Sequence, residues 1–494
     1  MLKNLTAPKR VQPPRIDTDE VIPMFYFDEY WRWIIMSKTI RFNDVLDVDK
    51  LHSTLSHLCT MGEWRKLGGR LRKNSAGHYE IHVPREFTSK RPAVGFSKVS
   101  FDTSIEDHPV ASKMPNHPTL ADKPSIQCGP EELKGLNQYD GSPRSIDDFL
   151  YSDRPQLHLH TVSFGDATLV TYTWSHSLMD ACGMQALYEA WSLVLGGKES
   201  QVKPLAGYKD AMADFGLVQP PKPWLFESIV MGMFSMIFFG LRWIISNLGK
   251  AKPETKAIFI PARMVQKLRT EGLNQVPDVD EKGNKMFLSE GDILLAWITR
   301  TVCLDEPLGA HRDVIIGNAL DLRTRLPNVF SPEKSYVQNA IFMIYTVEKL
   351  KKVVQGTVGS LALHIRKLIV EQVKEDQLEA EARLTRVAKE KFNTIILVGS
   401  ANSVLVMCSN WTKAKFFEAL DFGPAVLKQG QPDETRVNGL GKPAYFYWNM
   451  LNDQPLGMKN VINIMGKDAE GNYWVLAVLG QKQWQNMEVE LARR

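Results

Sequence analysis

The chain has 494 residues, of which 44% are hydrophobic and 23% charged, and this ordinary composition excludes a mostly disordered, collagen-like or repeat protein. Its 60 basic and 56 acidic residues leave a formal charge of only +4. No long Lys/Arg tract provides the positive footprint that phosphate backbones require, so we expect no nucleic acid partner. This length predicts two large domains or three small ones.

Cysteine spacing and the N-terminus both predict a cytosolic protein. The five cysteines lie far apart and include no CxxC pair, which indicates a reducing compartment and neither a disulfide framework nor a zinc site. The segment from Met1 to Arg15 is polar and contains proline, without the apolar run of a secretory signal. We therefore expect the chain to mature in the cytoplasm.

The first periodic segment predicts a helix that begins near Val48. Apolar residues recur there at helical spacing, and Asp47 and Asp49 stand where a helix N-terminus favours negative charge. We expect this helix to end near Leu67-Gly68-Gly69, because paired glycines permit a tight exit.

Two β-rich runs, 157–164 and 168–174, are separated by Gly165-Asp166, which is a hairpin signature. The second run leads directly into His176 and Asp180. After Gly183, apolar residues at helical spacing predict a helix that ends at Gly196-Gly197. The predicted order is therefore a strand, a histidine-bearing turn and a helix.

His158 and His160 alternate along the first of these strands. We expect them to face solvent or the hairpin partner. A metal site would need a third ligand, and the sequence indicates none, so we predict no metal.

The segment 224–248 is the most apolar part of the chain, and it follows three prolines at 220, 221 and 223. Ser228 to Leu241 are fourteen consecutive uncharged residues, fewer than the ~20 that cross a bilayer, although Arg242 could snorkel to extend the run. Three interpretations remain open: a helix lying in the membrane interface, a true span, or a connection buried in protein.

The second half again mixes helices with strands. Ser289 followed by Asp292 predicts a capping box at the start of a helix, and a strand from Val314 to Leu320 leads into Arg323 and Arg325. Both halves are therefore expected to be α/β. We divide the chain into a domain 1–215, a connection 216–255 and a domain 256–494, with a ligand site between the two domains.

His176 is the strongest single candidate for chemistry. A histidine that follows a hydrophobic strand can lie at the rim of a cleft, and its ordinary pKa near ~6.5 suits a general base at neutral pH. An HxxxD pattern alone is weak evidence, because a chain with eleven histidines contains it by chance about half the time.

Four segments together resemble the BAHD acyltransferases in order and separation. His176 to Ala181 resembles the family's HxxxDG, with Ala181 in place of glycine; Asp421-Phe422-Gly423-Pro424-Ala425 resembles DFGWG, with its last two positions replaced. Between them, Asn318 to Arg325 with Tyr336-Val337-Gln338-Asn339 is similar to the family's arginine-rich strand and YxGN, and Leu67-Gly68-Gly69-Arg70-Leu71 resembles AGRL. The resemblance covers nearly the whole chain, and fungal biosynthetic members are the closer comparison.

The resemblance implies an α/β fold of two chloramphenicol-acetyltransferase-like domains, each a mixed sheet with flanking helices, with the active-site channel at their interface. It implies an acyltransferase that uses acetyl-CoA or another acyl-CoA, acts on a hydroxylated terpenoid, meroterpenoid or polyketide, and is a monomer. The expected catalytic residues are His176 and Asp421, and a structural role for Asp421 remains open. Asp180, Arg323, Arg325 and Asn339 are expected to orient the site, with Arg323 before Arg325 as the partner of Asp180.

Two other interpretations remain. A condensation-type enzyme that uses a carrier-protein thioester usually has a second histidine directly before the catalytic one, where this chain has Ser175. A noncatalytic membrane-associated binding protein would explain the apolar 224–248 segment, and that segment also suits a protein at the endoplasmic reticulum surface.

Overall fold

The computed structural model describes residues 10–116, 123–280, 282–308, 312–452 and 458–494. The first nine residues of the polar N-terminal segment lie outside these ranges. The strands are β1 Glu20–Pro23, β2 Ile35–Phe42, β3 Asp44–Leu46, β4 Arg70–Lys73, β5 Tyr79–Val83, β6 Gly95–Ser100, β7 Ser125–Gln127, β8 Leu157–Ser163, β9 Thr168–Ser175, β10 Glu254–Ile260, β11 Asp313–Asp321, β12 Ile341–Lys349, β13 Val404–Asn410, β14 Val426–Gln429, β15 Tyr445–Met450, β16 Val461–Lys467 and β17 Tyr473–Leu479.

The helices lie between these strands in chain order. They are α1 Val48–Leu58, α2 Asp147–Leu150, α3 Ala181–Leu195, α4 Met233–Asn247, α5 Ala262–Leu273, α6 Glu290–Cys303, α7 Leu350–Gln355, α8 Val358–Gln372, α9 Glu375–Phe392, α10 Phe416–Ala419 and α11 Gln481–Ala492. Short 3-10 helices occur in the connections. One of them, Gly62–Gly68, corrects the first helix prediction: α1 ends at Leu58, and the glycine pair ends the 3-10 helix instead.

Two large mixed sheets form the fold. The first has the strand order β15-β2-β9-β8-β6, and the second has the order β12-β11-β13-β16-β17-β10-β7. Helices α1 and α3 cover one face of the first sheet with a continuous apolar core. Helices α5, α6, α8 and α11 contribute to the apolar core of the second. The predicted α/β class is thus confirmed.

The two halves of the chain exchange strands. β15, from the C-terminal half, pairs antiparallel with β2 over its full length, from Tyr445 opposite Arg41 to Met450 opposite Met36. β7, from the N-terminal half, pairs with β10 at the edge of the second sheet. Strands β3 and β14 form a further pair between the halves. These three strand pairs therefore join the halves by backbone hydrogen bonds.

The predicted hairpin and helix caps are present. Strands β8 and β9 pair antiparallel, and Asp180 caps α3, which begins two residues earlier than Gly183. Ser289 and Asp292 form the predicted capping box of α6.

His158 and His160 face neither solvent nor β9. Both rings contact the hydroxyl of Ser97 on β6, at 3.0 and 2.8 Å, and His158 stacks on Tyr139 with ring centroids 3.6 Å apart. The prediction for these two side chains was wrong because the pairing of β6 beside β8 depends on a partner sixty residues away.

The apolar segment 224–248 divides into two parts. Trp224, Phe226 and Met231 are buried against the second sheet, whereas no residue of α4 is fully buried. In the described ranges, no helix combines the length and the apolar character that crossing a membrane requires.

Candidate active site

His176 directly follows β9, a central strand of the first sheet. Its backbone N–H donates to the carbonyl of Ile34 at 2.8 Å, and its own carbonyl accepts from Asn339 Nδ2 at 2.9 Å. Trp31 lies beside the imidazole, with ring centroids 5.3 Å apart. Residues from both halves of the chain therefore hold the backbone and ring of His176 in one place.

The His176 ring is half-buried, with Nδ1 enclosed by protein. Nε2 is consequently the nitrogen available to a bound molecule. Burial lowers the pKa of the imidazole from its ordinary 6.5, while the charge of Asp180, the residue's own backbone and the Asn339 side chain act in the opposite direction. The ring is therefore neutral at physiological pH, which is the form that can accept a proton.

Asp180 is buried, and its carboxylate contacts the second half of the chain. Its carboxylate accepts from Gly183 N at 2.8 Å, from Arg323 Nη2 at 2.9 Å and from Ala340 N at 2.9 Å. One side chain thus caps α3, pairs with an arginine and binds a backbone amide of the C-terminal half. Asp180 ties the helix that follows His176 to the middle of the chain.

Asp180 forms its ion pair with Arg323 and not with Arg325. Besides Asp180, the Arg323 guanidinium donates to the carbonyl of Gln338 at 2.5 Å and to Asp321 Oδ1 at 2.5 Å. Arg325 is exposed. The predicted order of the two arginines is the one that the geometry shows.

Asn339 links His176 to a buried charge pair that sequence reasoning missed. Its backbone N and its Nδ2 both donate to Asp28 Oδ1, at 2.6 and 2.8 Å, while Nδ2 also reaches the His176 carbonyl. Asp28 Oδ2 lies 4.0 Å from Lys66 Nζ, and both side chains are about 1% exposed. Burial raises the pKa of Asp28 to about 7, against the charge of Lys66, and lowers the pKa of Lys66 to about 8.

No sequence signal marked these two residues. Asp28 stands among aromatic residues without a motif, and Lys66 belongs to a segment in which only the glycines were informative. Their pairing also spans 38 positions of sequence, which no periodicity reports.

Gly183 allows α3 to pack closely against the backbone of Val337. A Cβ on Gly183 would stand 2.4 Å from the Val337 carbonyl oxygen and 2.9 Å from its Cα. A glycine is therefore required at position 183, whereas the family's motif has its glycine two positions earlier, where this chain has Ala181.

Asp421 lies at the other end of α3 from His176. Its backbone N donates to Ser192 Oγ at 2.9 Å, and its half-exposed carboxylate pairs with Lys442 at 3.2 Å. Ser192 is twelve residues beyond Asp180, so the helical rise separates the two ends by about 18 Å. The structure does not bring Asp421 to His176, and its predicted catalytic role has no geometric support.

Among the residues that the structure describes, the chain neighbours of His176 offer no activated nucleophile. The hydroxyls of Ser175 and Ser177 hydrogen-bond to each other at 2.8 Å, and both residues are buried. Burial raises the pKa of the Cys182 thiol, and the carboxylates of Asp321 and Asp180 raise it further, so the thiolate is disfavoured. A neutral base without an adjacent nucleophile suits direct transfer of a group from one bound molecule to another.

Comparison with known proteins assigns the class. A family model described as Transferase family matches residues 131–432, more than half of the chain. The acetyltransferase adrJ of Penicillium rubens is 35% identical over 488 residues, covering 97% of each chain, and the acetyltransferase pyiB of Pyricularia grisea is 36% identical over 482 residues, covering 96% of this chain and 94% of that one. The crystal structure of F. sporotrichioides TRI101 complexed with coenzyme A and T-2 superposes with a TM-score of 0.66 at 16% identity, covering 96% and 98% of the two chains.

The chain belongs to the Transferase family, the BAHD-type acyltransferases that its motifs resemble. It is an enzyme that transfers acyl groups.

Proposed function

We propose that this protein is an acyl-CoA-dependent O-acetyltransferase that modifies a hydroxylated secondary metabolite such as a terpenoid, meroterpenoid or polyketide. The observation that carries the proposal is the His176 imidazole at the end of β9, held from both halves of the chain, with a pKa that burial lowers. The acetyltransferase names of the relatives and the coenzyme A in the TRI101 complex support the choice of donor.

The proposed mechanism is direct attack. An alcohol is a weak nucleophile, so His176 Nε2, within ~3 Å, removes its proton as the oxygen attacks the thioester carbonyl. The tetrahedral intermediate then collapses, the C–S bond breaks, and the imidazolium returns the proton to the departing thiolate. The products are the ester and free CoA thiol, and no acyl-enzyme forms.

The remaining site residues have positioning roles in this proposal. Asp180 and Arg323 hold α3 against the C-terminal half, and Asn339 fixes the His176 carbonyl. Asp421 is structural: it binds α3 and Lys442, next to Phe422, which packs between Phe42 and Trp191.

The test is thiol release from acetyl-CoA in the presence of a panel of hydroxylated terpenoids and polyketides. We expect the wild type to release free CoA thiol with at least one acceptor and His176→Ala to lose the activity by ~10²-fold or more, because general base catalysis supplies about that factor. His57→Ala, an exposed histidine on α1, is the matched control and should keep full activity. Equal thiol release by the His176→Ala variant would refute the proposed base.

We also propose that the enzyme is a cytoplasmic monomer that touches the endoplasmic reticulum membrane through the 224–248 segment. The exposed apolar side chains of α4 support this contact, because a lipid surface can cover them without a protein partner. Size-exclusion chromatography with light scattering tests the monomer, and a mass near 56.0 kDa is expected.

A further inference from the structure

Helix α4 presents a continuous apolar face to solvent. The exposed side chains on this outer face recur at helical spacing, and Phe234 and Leu248 are 77% and 76% exposed. The exposed large apolar side chains of α4 and of Leu248, which follows it, are Met233, Phe234, Ile237, Phe238, Leu241, Ile244, Ile245 and Leu248. A face of this kind, with no acidic residue on the helix, suits a helix that lies in the plane of a membrane interface.

The opposite side of α4 is anchored to the protein. Met236 and Phe239 pack against the apolar cluster beside the second sheet, and Arg242 Nη1 donates to the carbonyl of Ala401 at 3.1 Å. The chain just before the helix is fixed by a hydrogen bond from Met231 N to the Leu397 carbonyl at 2.7 Å. The outer face is therefore held outward by tertiary contacts.

A cleft with an accessible volume of about 80 Å³ lies between the C-terminal half of α4 and the start of β13. Four cations line it: Arg242, Lys250, Arg312 and Lys459. Among the described residues, Glu306 is the one carboxylate of the lining. The cleft thus carries a surplus of three positive charges on the protein-facing side of α4, where Phe239 and Arg242 also lie.

Glu306 is already engaged by two of these cations. Arg312 Nη1 is 2.7 Å from its Oε2, and Lys459 Nζ is 4.0 Å from its Oε1. Burial lowers the pKa of Lys459, the charge of Glu306 acts in the opposite direction, and the charges of Lys250 and Arg312 lower the pKa further. An anion in the cleft would relieve this mutual repulsion.

We propose that the cleft binds the phosphate group of an anionic phospholipid while the outer face of α4 lies on the bilayer. This proposal rests on the membrane contact proposed above and adds that the contact favours anionic lipids. A phosphate matches the charge of the cleft, and the position of the cleft beside an interfacial helix places it at headgroup level. Basic side chains near an anionic membrane surface each strengthen binding measurably.

Vesicle co-sedimentation of the full chain tests the proposal, with phosphatidylcholine vesicles compared with vesicles that also contain phosphatidic acid. We expect the wild type to bind both and to bind the acidic vesicles more tightly. Lys250→Gln and Lys459→Gln should each reduce that preference roughly fivefold and leave binding to phosphatidylcholine unchanged. Lys267→Gln, an exposed lysine on α5 outside the cleft, is the matched control.

The outcomes separate the two proposals. Phe234→Ser with Phe238→Ser should abolish binding to both vesicle types, because it removes the apolar anchor and no buried contact. Wild-type protein that binds both vesicle types equally, or a Lys459→Gln variant that keeps the full preference, would overturn the phosphate site alone. Wild-type protein that binds neither would overturn the membrane contact and the phosphate site together.

Discussion

Asp180 connects three parts of the active site at the scale of a single residue. Its carboxylate caps α3, pairs with Arg323 and binds the Ala340 amide, and it is 2% exposed. If one partner of a buried carboxylate is removed, the carboxylate keeps its charge away from water without the interaction that offset the cost of burying it.

We therefore expect Arg323→Ala to lower the free energy of unfolding by about 3 to 5 kcal/mol. Arg325→Ala is the matched control two positions away, and its exposed side chain should change stability by less than about 0.5 kcal/mol. Chemical denaturation of both variants is the measurement. Similar destabilisation by the two substitutions would contradict the assignment of Arg323 as the partner of Asp180.

The lowered pKa of His176 predicts the pH dependence of activity. The base works only when neutral, and a pKa below 6.5 keeps it neutral at lower pH than an ordinary histidine. The acidic limb of the kcat/KM profile should thus have its midpoint below pH 6.5. Steady-state rates across the acidic range measure this, and a midpoint at or above 6.5 would show that burial does not dominate the environment of the ring.

At the scale of an element, β2 carries an unusual core residue. Lys38 is fully buried, with Nζ 3.2 Å from the centroid of the Phe416 ring and 4.0 Å from that of Phe446. Burial holds the pKa of this amine well below 10.5. Aromatic faces attract a cation, but they replace only part of its hydration.

We expect Lys38→Met to raise the free energy of unfolding at neutral pH. Between the folded and unfolded pKa values the unfolded chain binds one proton more than the folded chain, so wild-type stability rises with pH in that window. The advantage of the variant should then shrink toward pH 10.5, by at most about 1.4 kcal/mol per pH unit. Urea unfolding at several pH values measures it, with exposed Lys267→Met as control; an advantage that does not vary with pH would contradict the linkage.

The elements around the site were predictable to different degrees. The β8–β9 hairpin and the capping box of α6 follow from turn and cap residues a few positions apart, and both are present. The predictions for the end of α1 and for the surroundings of His158 were wrong. A separate 3-10 helix follows α1, and strand β6 pairs beside β8, and neither is visible in the local sequence. Turn and cap residues predict hydrogen bonds between nearby positions. The neighbours of a strand in a sheet depend on segments that are far away in the sequence.

At the scale of the whole molecule, strand exchange joins the two halves. β15, from the C-terminal half, is an edge strand of the first sheet, and β7, from the N-terminal half, is an edge strand of the second. Each sheet is therefore incomplete without a strand from the other half. An unpaired β2 would expose the backbone edge of an eight-residue buried strand, and such an edge favours aggregation.

We expect residues 1–215 and 256–494, expressed separately, to be insoluble or unfolded, whereas the full chain folds. Solubility and circular dichroism of each half measure this, and co-expression of a fragment 1–255 with 256–494 is the control that returns the missing strands. A half that shows a cooperative thermal transition alone would mean that the exchanged strands are dispensable.

The sequence by itself determined the family, the histidine after a strand and the aspartate that caps the next helix, because motif order and capping depend on neighbouring positions. The tertiary structure decided which arginine pairs with Asp180, placed Asp28 and Lys66 behind Asn339, and separated Asp421 from His176. It also decided that α4 turns an apolar face outward. Each of these depends on contacts between segments far apart in the chain, where burial and charge are set by the partner and not by the local pattern.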